Sequence, residues 1–477
     1  MAKSGRVADA PRTLIEKTWQ RHIISEVGDG LCLVYIDRIL LHERGGGVAL
    51  AALSRAGRRV RNPNDVFATL DHVVDTHRGR TGADLVPGGP EFVDALRAGS
   101  AVHGIELFDL ADERQGIVHV ISPEQGIALP GTTIACNDSH TCTLGGVSAL
   151  AWGIGTSDLE HVLATQTLVI RRPDTMLIRF DGTAGDGVAA KDIVLHAIKM
   201  IGASGASGYV VEFAGALVQE MSVEERLTLC NMSVEFAARS AIVAPDEKTF
   251  RYLATSPFAP KGDLWERALD DWRCLGSDAD AVFDQAITID CRSIRAQVTW
   301  GTSPEDTLPI DGRVPDPAQC RDPARARRAL VYMGLLPGTP ISGLPIDAAF
   351  VGSCTNGRLD DLRAAAQVLK GRRVSPSVRA LCVPGSARVK RLAESEGLDK
   401  IFTDAGFEWR ESGCSLCFHA GGESFMPTHR VITTTNRNFE NRQGKLVRSH
   451  LASPQTVAAT AVAGHIVDAQ MLKDAAP

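Results

Sequence analysis

Short apolar runs bounded by turn residues alternate with helically spaced segments along most of the chain, the pattern of repeated strand and helix units. Leu31 to Ile36 predicts a buried strand running into Asp37-Arg38, and the apolar run Phe67 to Leu70 leads into Asp71-His72. Gly116 to Ile121 reads as a strand containing one histidine, His119. Thr132 to Cys136 predicts a further strand, which delivers Asn137-Asp138-Ser139-His140-Thr141 to a loop at its carboxyl end, where α/β sheets place ligands. Ser157 is positioned to cap a helix through Thr165, with acidic residues in its first turn. Arg44-Gly45-Gly46-Gly47 reads as a mobile loop, and residues 1–12 as a loose leader.

A second region opens with a strand at Thr175 to Phe180 and a helix at Ala190 to Ile198. Ser222-Val223-Glu224-Glu225 forms a capping-box pattern ahead of a helix through Met232. Glu235 falls on the same predicted helix, where burial would demand a partner for its carboxylate. Residues 255–285 are rich in charge and tryptophan and carry no motif. A third region starts near Thr288-Ile289-Asp290. In it the apolar run Ala348 to Val351 precedes Gly352-Ser353-Cys354-Thr355-Asn356 and a helically spaced segment from Arg358 to Ala366, so Cys354 is expected on a strand-to-helix turn. Thr456 to Asp468 predicts a last helix.

Composition narrows the class. The 477 residues suggest about three domains, and 44% apolar residues supply sizeable cores. Fifty-one basic against 57 acidic residues give a net charge of −6, so no basic field advertises nucleic-acid binding and small anions would have to be met by local arginines. Eleven cysteines, an odd number behind an opening without an apolar signal region, argue against a disulfide framework and for a reducing, cytoplasmic setting. No stretch approaches the roughly 18 apolar residues of a membrane span, and no repeat stands out.

Three cysteines carry the strongest chemical signal: Cys354 and the pair Cys414-Ser415-Leu416-Cys417. A Cys-x-x-Cys pair plus one distant cysteine can hold three corners of an iron-sulfur cube and leave the fourth iron open to substrate. A redox pair, or a zinc site completed by His419, would use the same residues. Downstream, Asn436-Arg437-Asn438-Phe439-Glu440-Asn441-Arg442 sets two arginines among polar residues, a composition suited to gripping carboxylates by forked hydrogen bonds.

In combined order, Ser353 to Asn356, Gly413 to Cys417 and Asn436 to Arg442 resemble the aconitase family, and the likeness runs from about Thr13 to about Gly464. The resemblance implies an α/β, aconitase-like core of three α/β/α domains (1–171, 172–293 and 294–477, the last with the cysteines) around an iron-sulfur cluster, without the swivel domain. It implies one 4Fe-4S cluster per chain on Cys354, Cys414 and Cys417, and a hydro-lyase that moves a hydroxyl between neighbouring carbons of a small hydroxy diacid. Asp71, His72, His119, Asp138, His140 and Glu235 match the family's catalytic positions; His42, Ser139, Arg437 and Arg442 match its substrate-binding positions. A serine base would come from a separate small subunit carrying the swivel domain. The sequence departs from the family pattern at Gly45, Val73, Asn137, Leu144 and Asn441.

Overall fold

Strands of three to eight residues, most of them buried on both faces, form three parallel sheets in the computed structural model, which describes residues 10–83, 85–417, 419 and 422–473. Parallel strands must be covered on both sides by crossover helices, so their residues read as unbroken apolar runs rather than as alternation. Val66–Thr69, Thr133–Cys136, Ala348–Val351 and Arg430–Thr433 are each buried throughout.

The first sheet has the order Glu106–Phe108, Val66–Thr69, Arg38–His42, Thr133–Cys136, Leu150–Gly153, all parallel. The second runs Ser240–Val243, Tyr209–Ala214, Asp174–Asp181, Gln285–Asp290. The third runs Phe407–Trp409, Arg379–Cys382, Ala348–Val351, Arg430–Thr433, Arg448–Leu451. Two small antiparallel sheets complete the strands. In the first and third sheets the strand order reverses around a central strand, which opens a crevice at the carboxyl ends. The α/β expectation holds, and no helix among the described residues is long and apolar enough to cross a membrane.

Several local expectations change. Residues 116–121 are not a strand: Val118–Glu124 is a helix, buried at every position, whose first N–H donates to the Asp71 carboxylate at 2.8 Å. An anion at a helix N-terminus satisfies an orphan donor and meets the dipole, and here it overrides local preference. Leu31–Tyr35 is a strand, but an antiparallel one only half-buried on alternate residues; the more deeply buried strand is the next in the chain, Arg38–His42. The glycine triplet is not a mobile loop either, since Gly46–Arg55 is a helix. A Cβ at Gly47 would lie 2.8 Å from the Leu96 backbone nitrogen and one at Gly46 would lie 3.0 Å from Leu41 Cβ, so these glycines allow close packing against helix Gly89–His103.

Ser157 lies inside helix Thr156–Thr165, whose N-cap is Gly155. The capping box at Ser222 and Glu225 is present, but its helix stops at Met232, and Glu235 sits on the following 3-10 turn, Ser233–Phe236. Thr288 to Asp290 belong to a strand of the second sheet rather than to the start of a third region. The last predicted helix is Pro454–Ala463, ended by Gly464 in the left-handed conformation. The expected leader falls largely on residues 1–9, outside the described residues.

Candidate active site

The carboxyl ends of the central strands deliver the chemistry. Arg38–His42 ends on His42, Val66–Thr69 leads to Asp71-His72, and Thr133–Cys136 leads to Asn137 and Asp138. In the third sheet Ala348–Val351 leads to Cys354, Phe407–Trp409 toward Cys414 and Cys417, and Arg430–Thr433 toward Asn436 and Arg437. These segments enclose a cavity of about 250 Å³. Every residue expected at the site from sequence lines it except Asp71 and Glu235, which sit behind His72 and His140.

Asp138 is the hub. Its Oδ1 accepts from His119 Nε2 at 2.9 Å and from the His140 backbone N–H at 2.7 Å, and its Oδ2 accepts from His72 Nε2 at 3.2 Å. An ionised carboxylate only accepts hydrogen bonds, so each ring nitrogen facing it carries a hydrogen. Burial pushes the Asp138 carboxyl up, but the bonds from His119, His140 and His72 outweigh it and hold the group well below the usual range.

His72 also pairs through Nδ1 with Asp71 Oδ1 at 2.5 Å. The two carboxylates overcome the desolvation of its ring and hold its pKa well above the ordinary value. His42 stacks on His72 with ring centroids 4.0 Å apart; burial and the neighbouring charge push it down to about 3, and neither of its ring nitrogens has a hydrogen-bond partner. His140 Nε2 bonds Glu235 Oε1 at 2.9 Å, and Arg437 Nε donates to the same oxygen at 2.8 Å. Burial raises the Glu235 carboxyl, and these two partners more than reverse it. Ser139 Oγ lies 3.4 Å from His140 Nδ1.

Around the sulfurs, Asn231 Nδ2 reaches Cys354 Sγ at 3.2 Å, Asn436 Nδ2 reaches it at 3.5 Å, and Arg442 Nη2 reaches Cys417 Sγ at 3.7 Å. Donors aimed at sulfur favour thiolate over thiol. Burial pushes the Cys354 thiol up to about 12, with the Asn231 hydrogen bond acting against it. Ser353 and Ser415, each beside a cysteine, adopt left-handed backbone with φ of 81° and 46°, a strain that recurs at functional turns.

A single zinc ion needs its ligands close together, because Zn–S bonds of about 2.3 Å in a tetrahedron leave sulfurs about 3.8 Å apart. Among the described residues the only set of three or more potential ligands within 4.8 Å of one another is His42, Glu43, Asp71 and His72. The three thiols and His419 do not form such a set among the described residues. In the compact set, Glu43 is spent on the backbone N–H groups of Asp71, His72 and Val73, at 3.1, 2.6 and 2.5 Å, and the two imidazoles stack face to face.

Asn231, Asn436, Asn137 and Lys191 have parts here that sequence reasoning did not assign. Asn231 is fully buried and bonds Thr143 Oγ1 at 2.8 Å and Thr355 Oγ1 at 2.7 Å as well as Cys354. Lys191, also fully buried, donates to the Thr434 and Thr435 carbonyls at 3.0 and 2.6 Å, and burial lowers its pKa to about 7.

Three departures from the family pattern are structural. Val73 and Leu144 are core residues, and Asn441 takes a left-handed backbone, φ 66°, while its side-chain oxygen accepts the Leu446 N–H at 2.8 Å.

The model of the aconitase family (aconitate hydratase) matches residues 16–464. The chain is 53% identical over 475 residues, 99% of each sequence, to 3-isopropylmalate dehydratase large subunit 1 of Bradyrhizobium diazoefficiens.

Proposed function

The chain belongs to the aconitase family, and we propose that it is the large subunit of a 3-isopropylmalate dehydratase, a hydro-lyase that isomerises 2-isopropylmalate to 3-isopropylmalate in leucine biosynthesis. The observation that carries this reading is the convergence of three cysteines, four histidines and three arginines on one cavity, in a chain so similar to a named large subunit. All cysteines are free, as a cytoplasmic enzyme requires. Sheet membership supports dividing the core after residues 171 and 293.

The spread of Cys354, Cys414 and Cys417 suits three separate corners of one 4Fe-4S cluster, with the amides of Asn231 and Asn436 and the Arg442 guanidinium beside its thiolates. Bound there, the cluster supplies a Lewis-acidic iron. Arg437 and Arg442 meet substrate carboxylates, and Ser139 and the neutral His42 ring hydrogen-bond the substrate. As the C–O bond breaks, the leaving oxygen takes a proton from the set His72, His119 and His140, whose rings Asp71, Asp138 and Glu235 hold in place. The proton on the adjacent carbon goes to a base on a separate small subunit with the swivel domain. Rehydration reverses these steps with the hydroxyl on the neighbouring carbon.

A second reading, a paralogue acting on citraconate/2-methylmalate or a homoaconitate-like diacid, is favoured by one observation: the Asn137 carboxamide occupies the cavity wall above Gly45. Both readings are tested on anaerobically prepared protein. Iron and acid-labile sulfide near four each per chain are expected, with turnover of 2-isopropylmalate only in the presence of the small subunit. Zinc in their place, or turnover of citraconate alone, overturns the first reading.

A further inference from the structure

Asn137 is the first residue beyond strand Thr133–Cys136, and its side chain lines the cavity beside His42 and Asp138. Its Oδ1 is buried and has no hydrogen-bond partner. A buried carbonyl without a donor is destabilising in the empty site, and a ligand that brings the donor recovers that loss on binding. Gly45 explains how the amide is seated. A Cβ there would lie 2.0 Å from Asn137 Nδ2 and 2.9 Å from its Cγ. The backbone of Gly45, at φ −133° and ψ −27°, is not in the left-handed region, so the need for glycine is set by the space that Asn137 fills. These two positions, each a departure from the family pattern, are thus one feature: the missing side chain at 45 is the seat of the carboxamide at 137.

We propose that Asn137, seated by Gly45, is a substrate-binding residue whose carboxamide oxygen accepts a hydrogen bond from the hydroxyl of the bound hydroxy diacid. The proposal rests on the hydro-lyase reading and deepens it. It assigns the amide to recognition of the polar end of the substrate and gives Gly45 no contact with the substrate.

The test is steady-state kinetics of the complete two-subunit enzyme with 2-isopropylmalate and with 2-methylmalate, on the wild type, Asn137→Ala, Gly45→Val and the double variant. Asn137→Ala removes the unpartnered carbonyl, so its melting temperature is expected not to fall below the wild-type value while KM rises about 10- to 100-fold, the effect of one lost buried hydrogen bond. Gly45→Val evicts the amide and is expected to raise KM by a similar factor. In the double variant the two effects are expected not to multiply, because both act through one carboxamide. KM in Asn137→Ala within about twofold of wild type on the substrate that is turned over, or a double variant at the product of the single effects, overturns the proposal and leaves the hydro-lyase reading standing. A wild-type complex that turns over neither diacid overturns both.

Discussion

Replacing Asp138 by asparagine removes one charge and keeps the volume, and the geometry fixes what is lost. The carboxylate accepts three hydrogen bonds, at 2.7, 2.9 and 3.2 Å, and its side chain is 19% exposed, so solvent screens it only weakly. Hydrogen bonds to a charged group contribute about 1.5–3 kcal/mol each and neutral ones about 0.5–1.5 kcal/mol. In Asp138→Asn, the amide oxygen retains the His140 and His119 bonds as neutral ones, and the amide nitrogen meets the His72 Nε2–H donor against donor. Two weakened bonds and one lost bond give a destabilisation of about 4 kcal/mol.

The folded-state pKa of Asp138 is depressed, so its contribution is fully present above the unfolded value of about 3.8 and is lost as pH falls through the folded one. The stability gap between wild type and variant is therefore expected to be constant near neutrality and to shrink below about pH 4. Catalysis falls further than stability, because mispositioned acid-base groups typically forfeit about 10²- to 10⁴-fold in rate. Thermal melts across pH and kcat of the reconstituted complex measure both. A variant with kcat within about tenfold of wild type and an unchanged melting temperature at pH 7 would refute the role of Asp138 as hub.

Cys354→Ser is expected to lower iron and sulfide content as well as activity; full retention of the metal would remove Cys354 from the ligand set. Gly47→Ala drives a methyl to 2.8 Å from the Leu96 backbone nitrogen, and overpacking of this kind costs about 1–3 kcal/mol; an unchanged melting temperature would restore the loop reading. Lys191→Met removes two donors to the Thr434 and Thr435 carbonyls, just ahead of Asn436 and Arg437. Its expected signs are faster amide hydrogen exchange at 434–437 and a KM raised roughly tenfold, the value of one charged hydrogen bond; unchanged exchange there would sink that account.

The sequence by itself determined the α/β class and the strand-to-helix turn of Cys354, because those signals are local apolar runs and helical spacing, whereas the principal cavity-lining residues were legible only through motifs whose order resembles a known family. It misjudged elements whose conformation is decided by distant atoms. The segment around His119 becomes a helix because the Asp71 carboxylate, 47 positions earlier in the chain, accepts the Val118 N–H, and the glycines at 46 and 47 are fixed by a neighbouring helix rather than freed by their own flexibility.

The partners of the sulfurs were equally out of reach. Asn231 meets Cys354 across 123 positions, and no periodicity encodes a contact between two sheets. Gly45 and Asn137 read separately as a loose loop and an odd substitution, and only the structure, in which a Cβ at 45 would lie 2.0 Å from the amide nitrogen at 137, makes them one device. Local pattern specifies which elements form, whereas steric exclusion and desolvation between elements far apart in sequence decide how side chains are seated.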